Sequence, residues 1–350
     1  MSDTSPNKVR NYIRRLSVLL WWHMPLNRQI KEKLKSITFS TLPFLFRNSR
    51  PYQNWFYIKK TGSAKDDFDV NAIPDHWPKD KNHPQLLHHQ YKNKALPAET
   101  DDSLAVIIHV FYRDIFDEML DYLHPLKERK CKLFIGTTRE NQNAVAERMQ
   151  NSVFAYQIDV FENRGRDILP FLSIAEEAIR EGYKIILKLH TKKSDHRLTG
   201  ELWRKDIYKK LLDPKAVERI MEVLKQHSHQ GLIGPAGHII PINLYYGKNA
   251  RAIGYLSYRL RLPPQKLKEL AFVAGSMFYI RSEALMPLLA LKLKPEMFEE
   301  EAGQVDGTMA HAVERIFAVS TSMAGYTVAD SSVSSKDMEA HITKEHPFTW

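Results

Sequence analysis

LAVIIHVFYRDIFDEMLDYL, residues 104–123, is where the chain changes character and where its fold is decided. The run Leu104 to Val110, broken only by His109, reads as a strand buried on both faces, and the apolar residues from Ile115 to Leu123 follow helical spacing. The alternation then repeats. Cys131 to Ile135 reads as a second strand, Asn143 to Met149 as a helix, Val153 to Val160 as a third strand, Ile168 to Ile179 as an apolar-striped helix and Tyr183 to Leu189 as a fourth strand. Leu232 to Gly234 and Phe272 to Ile280 read as further strands, separated by an exposed, Arg- and Tyr-rich stretch from Tyr245 to Arg261. Successive β-α-β units predict a parallel sheet covered by helices on both faces, a Rossmann-like α/β fold that binds ligands at the carboxyl ends of its strands.

Upstream of this body the text is different. Residues 61–102 are rich in Pro, Asn, Asp, Lys and His and read as an irregular linking segment, with His88 and His89 as solvated loop residues rather than metal ligands. Residues 1–60 read as a basic, amphipathic helical arm. They hold 12 of the 51 Lys+Arg and 2 of the 41 Asp+Glu, whereas the other 290 residues are balanced at 39 of each. Val9, Tyr12, Ile13, Leu16, Leu19 and Leu20 keep helical spacing, Trp21 and Trp22 favour a headgroup boundary, and Asn27 to Ile37 forms a second basic helix. Such an arm either meets an anionic membrane surface or packs on the body. The balanced charge of the body argues against nucleic acid as a partner. No stretch approaches the ~20 apolar residues that span a bilayer and no secretory signal is expected, so the expectation is a peripheral protein in a reducing cytosol, which a single cysteine suits. The single cysteine, Cys131, reads as a small buried hydrophobe.

Since ligands gather at strand ends, those ends carry the functional reading. They present His109 and Tyr112, then Thr137 and Thr138, then Asn163, Arg164, Gly165, Arg166 and Asp167, then Lys188, His190, Thr191, Lys192 and Lys193. This cationic rim points to an anionic small molecule, with a solvated surface turn as the bland alternative. Neither a GxxxxGK[ST] phosphate loop nor a GxGxxG after the first strand is present, which removes the main support for kinase or dinucleotide chemistry. Gly231, Gly234 and Gly237 read as turn glycines.

Taken in order, residues 104–123, NRGRDILPFL (163–172), KLHTKKS (188–194), WR (203–204), FVAGSMFYIR (272–281) and GQVDGTMAHAVERIF (303–317) resemble the rhamnan synthesis protein F family of bacterial polysaccharide glycosyltransferases. YQNW at 52–55 resembles the family's lead-in. The resemblance implies a GT-A-like, single-domain transferase over residues 103–350. It would move rhamnose or another hexose from a nucleoside-diphosphate donor to a lipid-linked glycan in O-antigen, capsule or cell-wall synthesis. The strand ends and these motifs together give the expected donor set: His109, Tyr112, Thr137, Asn163, Arg166, Asp167, Lys188, His190, Lys192, Arg204, Gly275, Ser276, His311 and Arg315. Where related layouts carry metal-binding carboxylates, this chain has cations, so no metal and no cofactor beyond the donor is expected. Asp306 fits either an acceptor base in a one-step inversion or a plain helix cap, with Glu301 as the second carboxylate. A non-catalytic nucleotide-sugar or carbohydrate-binding scaffold at the membrane is the rival reading.

Overall fold

The computed structural model describes residues 28–47, 103–191, 200–304 and 306–333, with the isolated positions 52, 55, 56, 77 and 342. The expected helix at Val9 to Leu20, Trp21, Trp22, His88, His89, Lys192 and Lys193 lie outside them. The upstream part holds α1 (Arg28–Thr41) and the short α2 (Pro43–Phe46). The body then runs β1 (Leu104–Val110), α3 (Arg113–Leu123), β2 (Cys131–Thr138), α4 (Gln142–Met149), β3 (Ala155–Phe161), α5 (Ile168–Arg180) and β4 (Ile185–His190). It continues through α6 (Gly200–Leu212), α7 (Pro214–Gln226), β5 (Gln230–Gly234), β6 (Ile239–Pro241), α8 (Ala250–Arg259), α9 (Pro264–Glu269) and β7 (Ala271–Val273). β8 (Phe278–Arg281), α10 (Ser282–Leu289), α11 (Met309–Met323) and β9 (Thr327–Asp330) complete it.

Seven strands form one sheet in the order β3-β2-β1-β4-β8-β5-β9, and β6 pairs with β7 separately. β1 lies between β2 and β4, both parallel to it, with Val106 opposite Leu133 and Leu187. Chain order therefore reverses at β1 and β4. In an open α/β sheet the crevice beyond the carboxyl ends of such a pair is the expected ligand position. β1 and β4 are buried along almost their whole length because helices cover both faces, as the apolar runs require. Phe171 of α5, Phe278 of β8 and Phe317 of α11 meet edge-on or tilted at centroid separations of 5.0–6.5 Å. Each such pair adds roughly 0.5–1.5 kcal/mol beyond burial and fixes the two helices over the sheet.

The mixed α/β architecture agrees with the Rossmann-like expectation, with four corrections. The sheet is only mostly parallel, since β8 runs antiparallel to β4 and β5. The apolar run Phe272 to Ile280 is two strands in two sheets, because Gly275 and Ser276 both adopt left-handed backbone, φ 95° and 55°, and turn the chain between them. Tyr245 to Arg261 is not an exposed stretch: it contains α8, which buries Ile253, Tyr255 and Leu256. Gly231 and Gly234 lie within β5, where a Cβ would fall 2.4 Å from Tyr326 and 2.7 Å from Val273 respectively, so close packing and not a turn requires glycine there. Within residues 61–102, Trp77 is buried against Tyr255 at 4.7 Å between ring centroids. Burial pushes the Cys131 thiol up to about 11, in keeping with an inert side chain.

Candidate functional site

The crevice is closed at its floor by one hydroxyl. Thr191, just past β4, accepts from the backbone N–H groups of Phe111 and Tyr112 at 2.9 and 3.0 Å, while its own N–H donates to the His109 carbonyl at 3.0 Å. This ties the two strand ends together and leaves His109 and His190 side by side in register.

Over them comes the loop after β3. Gly165 and Arg166 are both left-handed, φ 70° and 56°, and a Cβ on Gly165 would fall 2.5 Å from that of Leu169, so the turn requires glycine there and strains Arg166. The turn brings Asp167 to the N-cap of α5, but its side chain caps no helix N–H. Its carboxylate instead accepts from Lys188 Nζ at 2.5 Å and lies 3.3 Å from His190 Nδ1. Burial alone would raise this carboxyl; the charges of His190 and Lys188 and the lysine hydrogen bond outweigh it and hold the group far below the ordinary carboxylate range. Lys188 is 1% exposed, donates also to the Ser276 carbonyl at 2.8 Å, and lies over the Phe171 ring at 5.2 Å. Burial lowers the His109 imidazole to about 4, Asp167 opposing and Lys188 assisting, so the ring is neutral.

From the other side come the left-handed Gly275–Ser276 turn and the start of α11. Thr308, and not Asp306, caps α11 by accepting from the His311 N–H. Arg166 spans the gap: its guanidinium reaches His311 Nε2 at 3.3 Å, Glu301 Oε2 at 3.5 Å and the Gln304 carbonyl. Burial lowers His311 to about 4. Glu301 is raised by burial, with Arg166 opposing and Asp167 and Glu299 assisting. A cavity of about 90 Å³ remains at the centre, lined among others by Arg166, Asp167, His190, Ser276, His311 and Glu314. The buried Ser276 Oγ has no hydrogen-bond partner there. Glu314 accepts the Gly275 N–H at 2.9 Å and holds the turn.

Arg166, Asp167, His190, Gly275, Ser276 and His311 of the expected set thus line one cavity, with His109, Lys188 and Glu301 against it. Others stand apart. Thr137 is fully buried and gives its hydroxyl to the Val110 carbonyl at 2.8 Å, Asn163 is exposed at the head of its loop, and Arg204 is 5% exposed and paired with Glu118 at 2.7 Å. Arg315 is buried over Phe272 and donates to the carbonyls of Tyr245 and His311. Tyr112 lines a second, open cleft of about 800 Å³ between α3 and α4, with Phe111 and Asn141. Asp306 accepts from Lys248 N at 3.1 Å and Asn249 Nδ2 at 2.7 Å, while Asn249 Oδ1 accepts the Gly307 N–H at 2.9 Å. The sequence reading missed Asn249 and Glu118: the first lay in a stretch read as solvated, and the second is one of many acids on a helix. Among the described residues, no group of three or more His, Cys, Asp or Glu is placed to hold a metal ion, and no helix is long and apolar enough to cross a membrane.

Two strains of Xanthomonas campestris pv. campestris carry a relative, the uncharacterized protein WxcX, that is 39% identical over 226 residues. The match covers 65% of this chain and 32% of each relative, so the chain spans about a third of the length of the curated proteins it matches. The family model for rhamnan synthesis protein F matches residues 54–326, a span that includes every described element of the cavity. The chain belongs to the rhamnan synthesis protein F family.

Proposed function

We propose that the chain is a glycosyltransferase of polysaccharide synthesis that moves rhamnose or another hexose from a nucleoside diphosphate to a lipid-linked glycan. One observation carries the reading. At the switch point of a Rossmann-like sheet, Arg166, His190 and the unpartnered hydroxyl of Ser276 line one small cavity, donors suited to a diphosphate. The reversed strand β8 beside β4 supports the GT-A-like form of that sheet. The neighbouring cleft offers Phe111 and Tyr112 as aromatic walls for the nucleoside.

In the proposed reaction the acceptor hydroxyl oxygen bonds to the anomeric carbon as the bond from that carbon to the phosphate oxygen breaks. The electron pair leaves with the diphosphate, where Arg166 and His190 stabilise it, and the hydroxyl proton passes to a carboxylate. The sequence points to Asp306 for that proton. Two observations favour Glu301: its carboxyl is raised, which suits a base, and Asp306 already accepts two hydrogen bonds that fix the turn at Gly247–Asn249. Inversion and independence of metal belong to the same proposal; the second is supported by Arg166 and His190, cations or potential cations that line the cavity.

The test is a donor screen with dTDP-rhamnose, UDP-galactose and related compounds, read by nucleotide release with and without EDTA. Release that His190→Ala and Arg166→Ala abolish supports the reading. Donor binding without turnover for any donor and acceptor pair returns the chain to the scaffold reading, and release that requires magnesium or manganese removes the metal-independent mechanism.

A further inference from the structure

Among the described residues between 28 and 56 an apolar nucleus stands outside the main core. Phe39 is fully buried, with Phe46, Tyr52 and Trp55 at ring separations of 5.3, 5.4 and 5.5 Å, and Trp55 Nε1 donates to Ser36 Oγ at 3.2 Å. Neither Phe39 nor Phe46 joins the contiguous core of the sheet. Around this nucleus the apolar side chains face outward. Ile37 is 58% exposed and Phe44 61%, and with Ile30, Leu42 and Phe56 they make up five of the eleven large apolar side chains exposed among the described residues. Single exposed apolar residues need no explanation; five within 27 positions do. Lys33 and Arg47 are exposed in the same segment, and residues 1–60 carry 12 cationic against 2 anionic side chains.

We infer that this segment is a contact surface for an anionic lipid bilayer. Apolar side chains that enter the headgroup boundary and cations that meet its negative potential act together, and neither set alone holds a peripheral protein firmly. A second copy of the chain is the poorer occupant, because its own arm brings the same positive charge to the contact. The inference does not depend on the reading of the cavity.

The experiment is co-sedimentation of the full chain with vesicles of phosphatidylcholine containing phosphatidylglycerol, against phosphatidylcholine alone, at low and high salt. Binding to the anionic vesicles that weakens with salt is expected. Ile37→Ser with Phe44→Ser should lower the partition coefficient by roughly tenfold or more, since each removes an apolar side chain from the boundary. Lys33→Gln should lower it by about fivefold. These residues are exposed and outside the cavity, so thermal unfolding and nucleotide release from the same variants should be unchanged. Absence of vesicle binding, or equal partition of wild type and variants, overturns the inference. So does a dimer in light scattering that Phe44→Ser abolishes while vesicles are not bound.

Discussion

Lys188 and Asp167 come together at 2.5 Å although they lie on different elements, one inside β4 and the other at the head of α5, and the lysine's second bond, to Ser276, joins the loop after β3 to the β7–β8 turn. This cation is structural. It organises the anion site from beneath and does not reach into it.

Lys188→Met should therefore lower stability by about 3–5 kcal/mol, because it leaves the Asp167 carboxylate buried without its main partner. Adding Asp167→Asn should recover part of the loss. Urea unfolding of the three proteins checks this; a single variant as stable as wild type would show that the pair contributes nothing.

The pH dependence of stability has a definite sign. His109 and His311 are held at about 4 in the fold against 6.5 when free, so between those values the unfolded chain takes up protons that the native chain refuses. Stability should fall as the pH drops from 6.5 to 4, by on the order of a few kcal/mol in all. Glu301, raised by burial, opposes part of the fall, while Asp167, held below its free value of 3.8, adds a further loss once the pH falls through that value. Urea midpoints measured across this range should flatten in His109→Asn and His311→Asn.

The choice of base can be separated from folding. Glu301→Gln should keep donor affinity and lose on the order of 10²-fold in kcat, along with the acid limb of the pH profile. Asp306→Asn should act mainly through the Gly247–Asn249 turn and leave kcat within a few-fold. The reverse pattern would move the base to Asp306.

Much of this site could be anticipated from the sequence, and the failures have physical causes. The strand ends were readable because apolar runs stop abruptly at polar residues, and that placed Arg166, Asp167, Lys188 and His190 on one edge. Which cations stay available was not readable. Arg204 pairs with Glu118 and Arg315 donates to the Tyr245 carbonyl, partnerships set by tertiary packing between residues 86 and 70 positions apart. The split of Phe272 to Ile280 was hidden because an apolar run does not show a left-handed turn unless glycine is weighed above its neighbours.

Ser276→Ala tests the cavity itself. The hydroxyl has no partner in the fold, so its loss should leave stability unchanged within about 0.5 kcal/mol, yet weaken nucleoside-diphosphate binding by about fivefold to tenfold in calorimetry. By contrast Gly275→Ala, which places a Cβ 2.8 Å from Ile207 Cδ1 at φ 95°, should cost on the order of 1–3 kcal/mol and distort the same turn. Normal affinity in Ser276→Ala would exclude the hydroxyl from the anion site.

Trp77 sets the terms on which this body can be isolated. Its indole lies on Tyr255, a residue of α8 that sequence position alone would treat as remote. A fragment trimmed to begin at the sheet would strip an aromatic lid from a fully buried tyrosine and expose a sticky apolar face. Trp77 therefore belongs to the packing of the body although it lies far ahead of the first strand, and the family match, which begins at residue 54, takes it in.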